Sequence, residues 1–195
     1  MTKRLIVGIT GASGVIYGIR ALQMLKAAGV ESHLVLSLAA KATLAQETGW
    51  KVSDVLALAS VNHDHRDVGA TIASGSFVTG GMLIAPCSVK TLSAVANSYS
   101  SDLMSRAADV CLKEGRPVLL MLRETPLHLG HIRLMAQAAE AGAILFPPVP
   151  AFYVNPKTVD DIVNGTVGRA LARLGIENEG YTKWRGMGEA TNNEQ

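Results

Sequence analysis

Thr10-Gly11-Ala12-Ser13-Gly14 closes the first short apolar run of the chain and opens a helical pattern. Glycine permits a tight turn there, and the start of a helix offers free amide hydrogens to an anion. The loop is of a phosphate-binding type, although a bare helix start would look the same. A dinucleotide fingerprint would place a second glycine where Ser13 stands. It would also end the second apolar run in an acidic residue, where this chain has Ser37. A mononucleotide therefore suits the pattern better than a dinucleotide.

Pro86-Cys87-Ser88 and the residues Val89, Lys90 and Thr91 form a second hydroxyl-bearing helix start. Ser88 can act as a helix cap or as a ligand contact. Cys87 has no base placed near it by sequence, so it reads as a small buried hydrophobe rather than a nucleophile. Arg123-Glu124 directly follows the apolar Leu119–Leu122. Two charges at that point are either solvated or functional. The arginine suits a phosphate or a flavin ring edge, and the glutamate suits proton transfer. Arg106, Asp109 and Lys113 share a helical face, where an ordinary solvated ion-pair face is the simpler reading. His128 and His131, and likewise His63 and His65, lack a third ligand at a recognisable metal spacing. They read as loop and helix-cap residues.

These groups need a scaffold that brings them to one edge. Short apolar strands are expected at Leu5–Ile9, His33–Leu36, Met82–Ala85, Val118–Leu122 and Ala143–Phe146. Between them lie helical patterns: one from Val15 to a stop at Gly29, one ending at Glu47, and short or longer ones at Val52–Ala59, Val89–Ala96, Asp102–Lys113, Leu129–Ala141 and Val159–Leu174. Asn62–His65 reads as a polar loop. Alternating strands and helices predict an α/β fold with a doubly wound, Rossmann-like or flavodoxin-like, mostly parallel sheet covered by helices on both faces. The strands are continuously apolar, as double coverage requires. In such sheets ligands bind beyond the carboxyl ends of the strands. Four of those five ends carry small polar or charged residues, which makes them the candidate site.

The 195 residues suit one domain, expected over residues 1–186, with a polar tail at 187–195. A hydrophobic share of 48% and a charged share of 17% belong to a well-packed globular chain. The net charge of +2 and the 5% aromatic content argue against a nucleic-acid surface. Two cysteines make no disulfide framework, and no apolar run is long enough for a signal peptide or a membrane span. A cytoplasmic protein is expected.

The segments 8–14, Glu47-Thr48, 86–92, 106–110, 112–114, Arg123-Glu124-Thr125-Pro126-Leu127 and 147–153 together resemble the flavin prenyltransferases of the UbiX type. The resemblance runs from Arg4 to about Trp184, and its motifs occur in order at the expected strand ends. Residues 125–131 look more like the ubiquinone-pathway branch than the phenolic-acid branch. Leu38 and Gly115 depart from residues common in that family, lysine and arginine respectively, but neither change removes an assigned site residue.

The resemblance implies a metal-independent transfer of a dimethylallyl group from dimethylallyl monophosphate to N5 and then C6 of reduced flavin mononucleotide (FMN). The product, prenylated FMN, would serve a UbiD-type decarboxylase. By position, Gly11, Ala12, Ser13, Ser37, Ser88, Val89, Lys90, Thr91 and Arg123 would hold the flavin. Arg106, Lys113, Tyr153 and Arg169 would hold the ester phosphate, with some of them supplied by a neighbouring subunit. Trp184 would help close the pocket. Ser13 and Glu47 would act near the leaving phosphate and N5, and Glu124 would handle protons during ring closure. The family also implies a homododecamer.

Three alternatives compete. A flavin-dependent cysteine decarboxylase would want a histidine near the first helix, where this chain has Tyr17. A chain that itself decarboxylates aromatic acids would not need phosphate-holding residues. A non-catalytic flavin-binding partner would be free to lose Glu47, Lys113 and Glu124, and all three are present.

Overall fold

The computed structural model describes residues 4–184 and 186; the expected tail at 187–195 lies outside the described residues. Six parallel strands form the sheet: β1 (Arg4–Ile9), β2 (Glu31–Leu36), β3 (Val61–His63), β4 (Met82–Cys87), β5 (Val118–Leu122) and β6 (Ile144–Leu145). Their order is β3-β2-β1-β4-β5-β6. The helices are α1 (Val15–Ala27), α2 (Leu38–Glu47), α3 (Val52–Leu56), α4 (Val89–Ala96), α5 (Leu103–Lys113), α6 (Leu129–Glu140) and α7 (Val159–Arg173).

Strand side chains alternate between the faces, so one strand feeds two cores. Leu5, Val7 and Ile9 of β1 join Leu83, Leu119 and Met121 beneath α1, α2 and α7. Ile6 joins Met82, Ile84, Leu120 and Leu122 beneath α4, α5 and α6. Burying each large aliphatic side chain contributes roughly 1.5–3 kcal/mol, which explains why the central strands tolerate almost no polar residue. Arg20 of α1 pairs with Asp160 of α7 at 2.7 Å, pinning the last helix to the first.

The chain winds outward from β1 through β2 to β3, then returns to place β4 on the other side of β1. Strand order reverses between β1 and β4, and a crevice opens at the carboxyl ends of such a pair.

The expected polar loop at Asn62–His65 is in part a strand. Val61, Asn62 and His63 pair with His33, Leu34 and Val35. Three residues with one apolar member show no periodicity. Ser32 and Ser60 exchange amide-to-hydroxyl hydrogen bonds at 3.1 and 3.2 Å, and the His33 and His63 rings meet at 3.0 Å, so this edge pairing is held by polar contacts. The last strand is shorter than expected, two residues rather than four.

Candidate active site

Buried Thr10 ties the two strand ends at the reversal together. Its amide and its hydroxyl both donate to the Pro86 carbonyl, at 3.3 and 2.7 Å. The Ser88 amide donates to the Thr10 hydroxyl oxygen at 2.9 Å. The Arg123 amide donates to the Cys87 carbonyl at 3.1 Å, so the end of β5 is tied to the same edge. Sequence reasoning gave Thr10 no role of its own; a hydroxyl between an apolar strand and Gly11 was the available signal.

The loop after β1 is shaped by glycine. Gly14 has φ +94°, the left-handed region that side chains avoid. A Cβ on Gly11 would lie 2.4 Å from the Ala39 Cβ and 3.1 Å from its carbonyl carbon. The loop therefore lies directly against the first turn of α2. The Thr43 hydroxyl fastens it there by donating to the Gly11 carbonyl at 3.2 Å.

Glu47, at the far end of α2, reaches the start of α1. Its Oε2 accepts from the Gly14 amide at 2.8 Å and the Val15 amide at 3.3 Å. These are the amides a phosphate-type loop offers to an anion, and here the chain's own carboxylate takes them, with help from the positive end of the helix. Partial burial pushes the Glu47 carboxyl up. The Ser13 hydroxyl, the two amides and the charge of Arg123 outweigh this and hold it below the usual carboxylate value. At neutral pH Glu47 is an anionic acceptor facing the Ser13 hydroxyl. Burial raises the Tyr17 phenol, with Arg123 opposing, so Tyr17 keeps its proton beside that arginine.

With the start of α1 occupied, the starts of α2 and α4 remain the anion-receptive helix ends on this edge. Ser37 caps α2 by accepting from the Ala40 amide at 3.1 Å. Ser88 caps α4 by accepting from the Thr91 amide at 3.3 Å and meets the Thr91 hydroxyl at 3.2 Å. Val89 lies within that first turn, and Lys90 is exposed beside it. The Arg123 guanidinium is exposed and makes no hydrogen bond among the described residues. Hydroxyls, helix starts and a free guanidinium make a donor set that fits the phosphate and the polar ring edge of a flavin mononucleotide. Glu124 is exposed, and among the described residues its carboxylate accepts only from the Thr125 amide, at 2.9 Å.

Tyr153, Arg169 and Trp184 also come together. Tyr153 and Trp184 make an edge-to-face contact with ring centroids 5.3 Å apart. Both line a cavity of about 290 Å³ with Arg169, Tyr181 and Lys183. An adjoining cavity of about 260 Å³, walled by Phe146, Val149, Val154 and Ile162, shares Tyr153, Arg169 and Tyr181. The amide of Phe146 donates to Leu120 at 2.8 Å, which sets this cavity at the carboxyl edge beside β5. Tyr181 and Lys183 were missed from sequence, because they lie beyond the last periodic helix.

One chain does not bring Lys113 to this edge. Helix α5 runs back towards the amino ends of the strands, and Lys113 pairs there with Glu114. A Cβ on Gly75 would lie 3.0 Å from the Lys113 Nζ. The neighbouring Arg116 donates to the carbonyls of Phe77 and Gly75, and Phe77 lies under Arg4 at the start of β1. Arg106, one turn into α5, pairs with Asp109 at 3.5 Å, the ion-pair face expected of that helix. A ligand role for Lys113 requires another copy of the chain.

Burial pushes the Cys87 thiol up to about 12 and the Cys111 thiol up to about 11, so neither is a nucleophile at neutral pH. His128 caps α6, its Nδ1 accepting from the Gly130 and His131 amides. No group of three or more metal-ligating side chains forms among the described residues.

The family model described as "Flavoprotein" matches residues 1–171. Flavin prenyltransferase UbiX of Thauera aromatica is 58% identical over 186 residues, spanning 95% of this chain and 96% of that one. The crystal structure of AnUbiX (PadA1) in complex with FMN and dimethylallyl pyrophosphate superposes with a TM-score of 0.94 at 43% identity, over 95% of this chain and 99% of that one. A dodecameric FMN-dependent Ubix-like decarboxylase from Escherichia coli O157:H7 superposes with a TM-score of 0.91 at 47% identity, over 94% of this chain and all of that one. With the loops, caps and paired cavities of this fold in place, the chain belongs to the flavoprotein family and, within it, to the flavin prenyltransferases of the UbiX type.

Proposed function

We propose that the chain transfers a dimethylallyl group from its phosphate ester to reduced FMN. The observation that carries this is a cavity with a cationic lining that adjoins an apolar one: Lys183 lines the first, Phe146, Val149 and Val154 line the second, and Arg169 and Tyr153 stand where the two meet. That division matches a phosphate joined to a short branched hydrocarbon. The allylic carbon–oxygen bond breaks, the phosphate leaves with the bonding electrons, and the carbon becomes bonded to N5 as the N5 proton is lost; the fragment's double bond would then take a proton and be used up in the bond to C6, whose hydrogen leaves as a proton. Reduced FMN supplies the electron-rich acceptor when bound.

The chain's own residues do the rest. Arg169 and the Tyr153 hydroxyl stabilise the charge gathering on the departing phosphate. Trp184 and Tyr153 present aromatic surface to the developing allylic cation and exclude water that would quench it. The anionic Glu47 orients the Ser13 hydroxyl and draws on its proton, so Ser13 can exchange a proton with the phosphate. Glu124, exposed just beyond β5 and with no side-chain partner among the described residues, is the group free to move a proton as the second bond forms. Arg106 and Lys113 join the phosphate from a neighbouring subunit of a homododecamer. The product passes to a UbiD-type decarboxylase in the cytoplasm. Among the described residues no helix is long and apolar enough to cross a membrane.

The test is anaerobic release of inorganic phosphate from dimethylallyl monophosphate. Release is expected only when reduced FMN is supplied. Equal release without flavin would make the protein a phosphatase and refute the transfer.

A further inference from the structure

A row of titratable groups that the proposed chemistry does not use crosses β1, β2 and β3. Arg4 Nε donates to Glu31 Oε2 at 2.9 Å, Glu31 Oε1 meets His33 Nε2 at 2.9 Å, and His33 Nδ1 meets His63 Nε2 at 3.0 Å. His33 is buried, with the Phe77 ring edge-on at 4.8 Å between centroids. Hydrogen bonds from Arg4 and His33 hold the Glu31 carboxyl below its usual value. Glu31 is therefore an anion that accepts, and His33 Nε2 carries a hydrogen. One hydrogen then lies between the two facing ring nitrogens. Either His63 donates to a neutral His33, or a charged His33 donates to a neutral His63. The contact survives with no added proton or with one. With two, both facing nitrogens carry hydrogen, and two like charges meet across 3.0 Å.

The charges around the pair do not relieve this. Burial lowers His63, the charge of His33 adds to it, and only Asp67, in the loop after β3, opposes. Asp64, His65 and Arg66 of that loop pair among themselves. Arg116, beyond α5, is engaged with the carbonyls of Gly75 and Phe77. What the contact holds is a short mobile-edge segment. Ser60, bonded to Ser32, anchors it on one side, and buried Ile72 on the other. Between them the chain is mostly exposed. It is held by the pairing of Val61–His63 with β2, by the Asn62 side chain on the Leu56 carbonyl, and by the histidine contact. Its far side serves α5: the Leu103 amide donates to the His65 carbonyl at 2.8 Å. Arg106 lies one turn further along that helix.

We propose that the His33–His63 contact is an acid-released latch: a second proton on the pair parts β3 from β2, frees residues 61–70 and withdraws the His65 carbonyl from the start of α5. The sign follows from the lowered His63 value. The open segment takes up a proton that the closed one resists, so the closed form is fully favoured above the ordinary histidine value and loses ground as pH falls below it. The release rests on no part of the proposed transfer. Its effect on turnover, through the first turns of α5, rests on Arg106 serving a neighbouring copy.

The test is hydrogen exchange of the full chain, read by mass spectrometry at about pH 7.5 and about pH 5.5, on either side of the ordinary histidine value, with intrinsic rates divided out. Peptides covering 61–70 should lose up to about tenfold in protection at the lower pH, one proton being taken up on opening, while β1 and β4 hold theirs. His63→Gln keeps a side-chain amide for His33 but takes no proton, and its protection over 61–70 should be alike at both pH values. Asp67→Asn keeps an acceptor for the Gly69 amide and removes the one charge that favours a proton on His63, so its acid loss should exceed that of wild type. Unchanged protection over 61–70, an equal loss across the whole sheet, or an acid loss in His63→Gln equal to that of wild type would overturn the latch. If His63→Gln is unprotected at both pH values, Asp67→Asn decides: a larger acid loss supports the latch, and a loss equal to that of wild type refutes it. A protein that releases this segment in acid but transfers no prenyl group would refute the activity and leave the latch standing.

Discussion

Replacing Glu47 separates its structural role from its chemical one. Its carboxylate accepts from the Gly14 and Val15 amides, so it caps α1 from another helix. Glu47→Ala removes the acceptor and leaves two helix-start amides to water. Loss of a cap costs about 1 kcal/mol, and the exposed setting keeps the cost at or below that figure. For a chain of this size, that lowers Tm by roughly 2–4 °C. Glu47→Gln keeps an acceptor oxygen and should retain most of that stability. Activity should behave differently. If the charged carboxylate draws on the Ser13 proton, both variants lose it together, about 10²–10⁴-fold in kcat.

The assay pairs thermal unfolding with anaerobic single-turnover kinetics. Near-wild-type turnover in Glu47→Gln would reduce Glu47 to a cap. The sign of the pH effect follows from the depressed folded value. The capped state is favoured above the ordinary carboxylate pKa, and the advantage disappears as pH falls through the lower folded value. Wild-type stability should therefore decline in acid more steeply than that of Glu47→Gln.

Three further outcomes are expected. Gly11→Ala places a Cβ 2.4 Å from the Ala39 Cβ, which should cost about 1–3 kcal/mol by overpacking and weaken FMN binding in a fluorescence titration; an unchanged Tm and affinity would mean the loop does not seat on α2. Asn178 ties the segment after α7 to that helix, donating to the Gly168 carbonyl at 3.0 Å and accepting from the Gly180 amide at 2.9 Å; Gly168→Ala, with its Cβ 2.6 Å from the Asn178 Oδ1, should loosen that tie, raising KM for the prenyl ester while leaving FMN affinity alone, and a loss of FMN affinity instead would argue against a separate ester pocket. With thiols held at about 12 and about 11, Cys87 and Cys111 should resist alkylation in the native protein at mildly alkaline pH and react once it is unfolded, as read by intact mass.

What could be read from sequence was what neighbouring residues dictate. The five strands other than β3 lie in apolar runs, and Ser88 and His128 lie where caps are needed. Val61–His63 escaped because its pairing comes from β2 and not from its own pattern. The contact of Glu47 with Gly14 joins residues 33 apart in sequence, so the resemblance to a family supplied Glu47 where periodicity did not. Tyr181 and Lys183 reach the cavity beside Arg169 through a turn that Asn178 fixes by bonding Gly168 and Gly180, a contact across ten residues that no local pattern announces. The place of Lys113 at the opposite edge depends on the direction of α5, and so on the topology of the whole sheet.

The most direct measurement is the mass of the flavin released after anaerobic incubation with reduced FMN and dimethylallyl monophosphate. Prenyl transfer predicts a mass gain of one dimethylallyl unit on the flavin. Unmodified flavin, recovered from protein shown to bind both FMN and the ester, would contradict it.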